Sequence, residues 1–173
     1  MMICMSADLP SGPSFICDAM LGGLARWLRA AGYDAYWQYG QHDRELIHLA
    51  QRNHGILLTS DTGIMQRKII RDGTVRALFI PQQLDRYQQL AFVLRRLNLP
   101  LIEPRCMSCG GWLEVIPREL ARPHVPPKAW QFQQTFFRCR RCGTVLWRGT
   151  HWKRIAERLA HIDDYFPHLN SED

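Results

Sequence analysis

The chain has 173 residues, 46% hydrophobic and 22% charged, a balance that fits a globular protein and excludes a disordered, collagen-like or coiled-coil chain. Its longest unbroken apolar runs, residues 1–5 and 90–94, fall far short of a membrane span. No basic segment leads into an apolar one at the start, so a cytoplasmic location and no membrane partner are expected. The net charge is +6, and 19 of the 22 basic side chains are arginine. The planar arginine fork suits phosphate, so the surplus hints at nucleic acid, although codon bias accounts for the arginine share equally well.

Residues 14–18 (SFICD) form a short apolar run that reads as a buried strand. Leu21, Leu24, Ala25, Leu28 and Ala31 follow at helical spacing, and Gly32 stops that helix. Residues 34–39 (DAYWQY) read as an aromatic strand, and residues 43–53 as a helix with Leu46, Leu49 and Ala50 on one face. Residues 55–59 (GILLT) predict a third strand, and residues 62–71 a weaker helix ended by Asp72 and Gly73. Residues 75–80 (VRALFI) predict a fourth strand, and residues 85–97 a helix striped by Tyr87, Leu90, Ala91, Leu94 and Leu97. Alternating strands and helices imply an α/β body with a parallel sheet covered on both faces. Pro100 and Pro104 interrupt this pattern and place a domain boundary. The charge shifts there too: +3 over residues 1–100, +7 over 101–160 and −4 over 161–173.

Six cysteines in a reducing compartment suit metal better than disulfides. Cys106 and Cys109, then Cys139 and Cys142, form two C-x-x-C pairs, each followed by glycine (Gly110, Gly143). Such turns place two sulfurs on one side of an ion, and the glycine permits the left-handed backbone that aims amides at sulfur. The quartet predicts a structural Zn²⁺ site in a zinc ribbon, with strands near residues 111–116, 136–139 and 144–148 and a loop over 117–134. Cys4 and Cys17 have no such partners, and Cys17 reads as a buried, inert thiol. Trp152, Ile155, Ala156, Leu159 and Ile162 predict a closing amphipathic helix that docks on the body.

Asp18 and Asp61 stand at the ends of the first and third strands, each before a helix. With strand order 2-1-3-4 these ends flank the point where the winding reverses, the usual ligand position in an open parallel sheet. Asp43, with Glu45 beside it, follows the second strand and would complete an acidic cluster. Such oxygen ligands suit Mg²⁺ or Mn²⁺, which activate water for phosphodiester cleavage. Asp is also a favoured helix cap, and Asp18, Asp43 and Asp61 each read equally as one. Arg26 and Arg29, on the polar side of the first helix, and His151, before the closing helix, are candidate phosphate contacts. As a solvated face and a satisfied structural histidine, they need no ligand.

Residues 18–34 (DAMLGGLARWLRAAGYD) closely resemble the opening signature of the Mut-seven C-terminal RNase family, PIN-like nuclease domains fused to a zinc ribbon. The resemblance continues through residues 56–61 (ILLTSD), 104–110 (PRCMSCG), 139–143 (CRRCG) and 147–152 (WRGTHW). It implies a PIN-like three-layer α/β/α fold over residues 14–98, a zinc ribbon over 101–150 and a closing helix over 151–166. It also implies a metal-dependent ribonuclease with Asp18 and Asp61 as Mg²⁺ or Mn²⁺ ligands and an acid after the second strand, Asp43 or Glu45. RNA is the expected partner, guided by Arg26, Arg29, Arg138, Arg140, Arg141, Arg148 and His151. Whether a fourth acid such as Asp72 or Asp85 joins the site is left open by the sequence. One departure stands out: Ser60 occupies the position before the third-strand acid where the family usually has arginine. The N-terminal ubiquitin-like domain of some relatives is not expected before so early a first strand. Two other readings use the same residues: a non-catalytic RNA-binding protein, and a toxin-type PIN-like protein held by a partner.

Overall fold

The computed structural model describes residues 12–166, so Cys4 lies outside the described residues. Four strands, β1 (Phe15–Cys17), β2 (Ala35–Tyr36), β3 (Ile56–Thr59) and β4 (Ala77–Phe79), pair in parallel in the order β2-β1-β3-β4. This is the order in which the ends of the first and third strands flank the point where the winding reverses. Alternation along the strands feeds two cores, one on each face of the sheet. Phe15, Cys17, Ile56 and Leu58 join α1 (Gly22–Ala30) and α5 (Arg86–Arg96) on one face. Ile16 and Leu57 join α2 (Asp43–Arg52), α3 (Thr62–Met65) and α4 (Lys68–Arg71) on the other.

Two expected elements come out shorter. The strand read over residues 34–39 ends at Tyr36, because Trp37 turns away and its indole Nε1 donates to the Ala19 carbonyl at 3.1 Å. The helix read over 62–71 splits into α3 and α4, because Arg67 is extended (φ −61°, ψ 135°).

A second sheet is antiparallel, with β5 (Leu113–Ile116), β6 (Phe136–Cys139) and β7 (Val145–Trp147) in that order. The insertion read as a loop is instead helical: α6 (Arg118–Ala121), a 3-10 turn and α7 (Pro127–Phe132). Its prolines do not break these helices. Pro117 precedes α6 and Pro127 opens α7, positions where the missing N–H costs nothing. Trp130 of α7 stacks on Phe136 of β6 and covers a small core with Ile116, Ala121 and Val145.

The last helix, α8 (Thr150–Ala160), returns to the body. Leu159 and, just beyond it, Ile162 are buried in the core of α1 and α5, with Ile155 packed beside them. Among the described residues no helix is long and apolar enough to cross a membrane.

Gly32 ends α1 with φ +103°, where an added β-carbon would lie 2.7 Å from the Glu103 carbonyl oxygen. Gly32→Ala is expected to cost about 2 kcal/mol or more through left-handed strain and this collision. A lowered urea midpoint measures it, and an unchanged midpoint contradicts it.

Candidate active site and metal centre

The thiolate quartet is the best-defined cluster. Cys106, Cys109, Cys139 and Cys142 bring their sulfurs within 4.8 Å of one another. Cys106 and Cys142 are 3.8 Å apart, and Cys109 and Cys139 are 3.4 Å apart. Four sulfurs about 2.3 Å from a tetrahedral zinc lie about 3.8 Å from each other, so the donor set and spacing fit a metal ion such as zinc. The register Leu113↔Cys139 brings the second pair to the first across the insertion. Gly110 (φ +78°) and Gly143 (φ +75°) adopt the left-handed turn read from their positions. The Gly111 amide donates to Cys109 Sγ and the Arg141 amide to Cys139 Sγ, both at 3.4 Å. Without a cation the thiols are unequal. Burial pushes Cys109 up to about 12, while the Thr144 hydroxyl and amide draw Cys142 down to about 6. Cys17, wholly buried in the sheet, has its thiol pushed up by burial, which suits the inert role expected of it.

The knuckle is fastened to the α/β body by arginine. Arg29 is buried, and its guanidinium donates to the carbonyls of Ala35 (2.8 Å), Met107 (3.0 Å) and Ser108 (2.8 Å). Arg29, expected to contact phosphate, is held by these carbonyls through Nε and Nη1; its Nη2 has no partner among the described residues, and the side chain lines the same cleft as Arg26. Its place off the leucine stripe reflects an internal polar partner, not solvent. Arg105, also buried, donates to the Gly32 and Gly110 carbonyls and lies over the Trp112 ring. Arg141 pairs with Asp34 at 3.1 Å and donates to the Cys109 carbonyl. Neither Arg105 nor Asp34 was singled out from sequence. Pro104 just before Arg105 and the resemblance through residues 104–110 were the available signal.

The strand-end acids occupy the predicted edge. Asp18 follows β1 and is buried. Its Oδ2 accepts from the Thr59 hydroxyl (2.6 Å) and the Ser60 amide (2.9 Å), and its Oδ1 accepts from the Met20 amide (3.0 Å). Asp61 follows β3 and is exposed; its Oδ1 caps α3 through the Gly63 amide. Both acids are therefore helix caps. They are also joined, because Thr59 Oγ1 accepts from the Asp61 amide at 3.0 Å while it donates to Asp18. Asp43 opens α2 and is half-buried, and Glu45 lines a separate hollow on that helix with His48 and Arg52. Asp72 and Asp85 are exposed, and Asp85 is spent in the capping box of α5. Among the described residues, the cysteines are the one group of three or more ligating side chains gathered closely enough to share an ion. Ser60, where the resemblance expects arginine, is buried, and its hydroxyl donates to the Ile80 carbonyl.

The remaining cations are spread over the ribbon and its seam with the body. Arg26 and His151 are exposed and line the same cleft. His151 is thus not the internally held histidine of the alternative reading. Arg138 is half-buried on β6, and Arg140 pairs with Glu114. Arg148 lies 3.8 Å from Glu103 and over the Phe137 and Trp152 rings.

Fold and cluster together define an α/β body carrying a four-cysteine ribbon. The chain belongs to the Mut7-C RNAse domain family, whose model matches residues 13–159. The human (Homo sapiens) exonuclease mut-7 homolog is 33% identical over 100 residues, which are 55% of this chain but only 11% of that protein. No solved structure matches the chain. Family and relative both point to a nuclease.

Purified protein is expected to carry one zinc per chain, read by a colorimetric release assay, and Cys106→Ser or Cys139→Ser to lose it. Arg29→Met is expected to lower stability by about 3 kcal/mol in urea titration, because buried carbonyls lose their donors. A change under 1 kcal/mol contradicts the anchoring role.

Proposed function

We propose that this protein is a metal-dependent ribonuclease of PIN-like fold, with a structural zinc in the ribbon and Mg²⁺ or Mn²⁺ at the strand-end acids. The observation that carries this reading is the Thr59 hydroxyl, which ties Asp18 to the Asp61 main chain at adjacent parallel strand ends. The donor set fits a hard cation. Asp61 Oδ2 accepts no hydrogen bond among the described residues, and Asp18 Oδ1 accepts one, which leaves it a lone pair. Mg²⁺ commonly takes one or two carboxylates and completes its shell with water. Asp43, at the start of α2, is the candidate for a further acid. Glu45 is less suited, because it lines the outer hollow of α2.

When bound, such an ion supplies an activated water and charge neutralisation at the phosphate. The chain supplies the rest. The Ser60 amide and Thr59 hydroxyl hold Asp18 fixed. Asp61 is held by its cap to Gly63. Arg26 neutralises the RNA backbone and, with His151, positions it. Arg138, Arg140 and Arg148 give the ribbon a basic face for the same strand, while Arg141 acts mainly to hold the knuckle on Asp34. A non-catalytic RNA-binding role uses the same cations and treats both acids as caps alone.

The test is cleavage of a labelled RNA by the zinc-loaded protein with added Mn²⁺. Asp61→Asn and Asp18→Asn are each expected to lose at least about a hundredfold in rate, with salt-dependent RNA affinity kept. Undiminished cleavage by the double variant assigns the activity elsewhere. Binding without cleavage under any divalent metal favours the non-catalytic role.

A further inference from the structure

Two cavities meet along the seam between the body and the ribbon. One, of about 930 Å³, runs from Ala19 and Met20, just after Asp18, past Trp37 and Arg86. The other, of about 430 Å³, continues under the ribbon hairpin to Trp147. Arg26, Met107, Ser108, His151 and Ile155 line both, so the two form one cleft. Among the described residues no carboxylate side chain lines either part. The charged lining is cationic, and Arg29 and Arg105 are already committed to main-chain carbonyls. Arg26, Arg86 and His151 are exposed and make no ion pair among the described residues.

Trp37 gives this cleft a flat wall. Its indole N–H is fixed to the Ala19 carbonyl, and its ring lies against Gly22, where an added β-carbon would come within 2.6 Å of it. A fixed aromatic plane among unpaired cations matches a nucleobase joined to phosphates. A duplex hides its base faces inside the stack, so such a wall selects unpaired nucleotides.

We propose that this cleft binds single-stranded RNA, with a base against Trp37 and the adjoining phosphates on Arg86, Arg26 and His151. The strand then runs from the ribbon hairpin to the Asp18 end of the sheet. The proposal rests on the ribonuclease reading and adds to it the form of the substrate, its path, and two residues, Trp37 and Arg86, outside the acidic and ribbon positions.

The experiment is fluorescence anisotropy of a short labelled oligouridine with the zinc-loaded full chain, without added divalent metal, against the same RNA paired to its complement. W37A and R86A are each expected to weaken single-strand binding about tenfold, with W37F restoring most of the affinity. R86A is also expected to flatten the slope of log affinity against log salt by about 0.7, the signature of one lost phosphate contact. Arg86 is exposed, so that variant keeps the fold, checked by its urea midpoint. Unchanged affinity and slope in R86A and W37A overturn the cleft, as does equal affinity for the duplex. If those variants also cleave RNA normally while Arg138 and Arg140 variants lose binding, the cleft falls and the nuclease stands. A wild-type chain that binds no RNA overturns both.

Discussion

The buried Arg29 guanidinium is the contact on which the rest of the structure depends. One planar group joins its own helix, the β2 strand that follows it through Ala35, and, 78 residues on, the cysteine knuckle through Met107 and Ser108. Burial works against its charge, pulling its proton affinity below the usual arginine range. The offset comes from carbonyl acceptors fixed by backbone turns. Lysine could not span these acceptors, because they are arranged for a fork rather than a point charge. Arg105 repeats the device in the opposite direction, from the knuckle side back to Gly32. The ribbon is consequently fastened to the body at the knuckle that carries the first cysteine pair.

That edge has its own internal logic. In Asp18 a single carboxylate closes the turn after β1 and clasps the end of β3, so capping and site-building are not alternatives for it. Asp61 is different, being exposed and held only by the first turn of α3. The two acids divide the work: one is rigid and nearly saturated, the other open to solvent.

The parts of the fold written in apolar rhythm were legible in the sequence. The strand–helix alternation and the glycine-marked knuckles follow from local patterns, whereas the order β2-β1-β3-β4 rests on pairings between separate segments. The misread parts depend on long-range partners. Residues 117–134 looked like a loop because prolines break helices in general, yet here they stand at helix starts. Arg29 looked solvent-facing because helical spacing records only which side avoids the leucine stripe. It cannot record that a knuckle 78 residues away supplies a carbonyl. The cleft was invisible for the same reason, since Trp37, Arg86 and His151 come from three separate segments.

The folded insertion between the two C-x-x-C pairs also sets an order of events. The ribosome releases the body first, and Cys139 and Cys142 emerge only after β5 and the whole insertion. Until then the cysteine set is half made, although the Ala35, Met107 and Ser108 carbonyls that receive Arg29 have already been synthesised. The four thiols are thus made in two instalments, with β5 and a folded insertion between them, so an ion that needs all four has no complete set until the second pair has emerged.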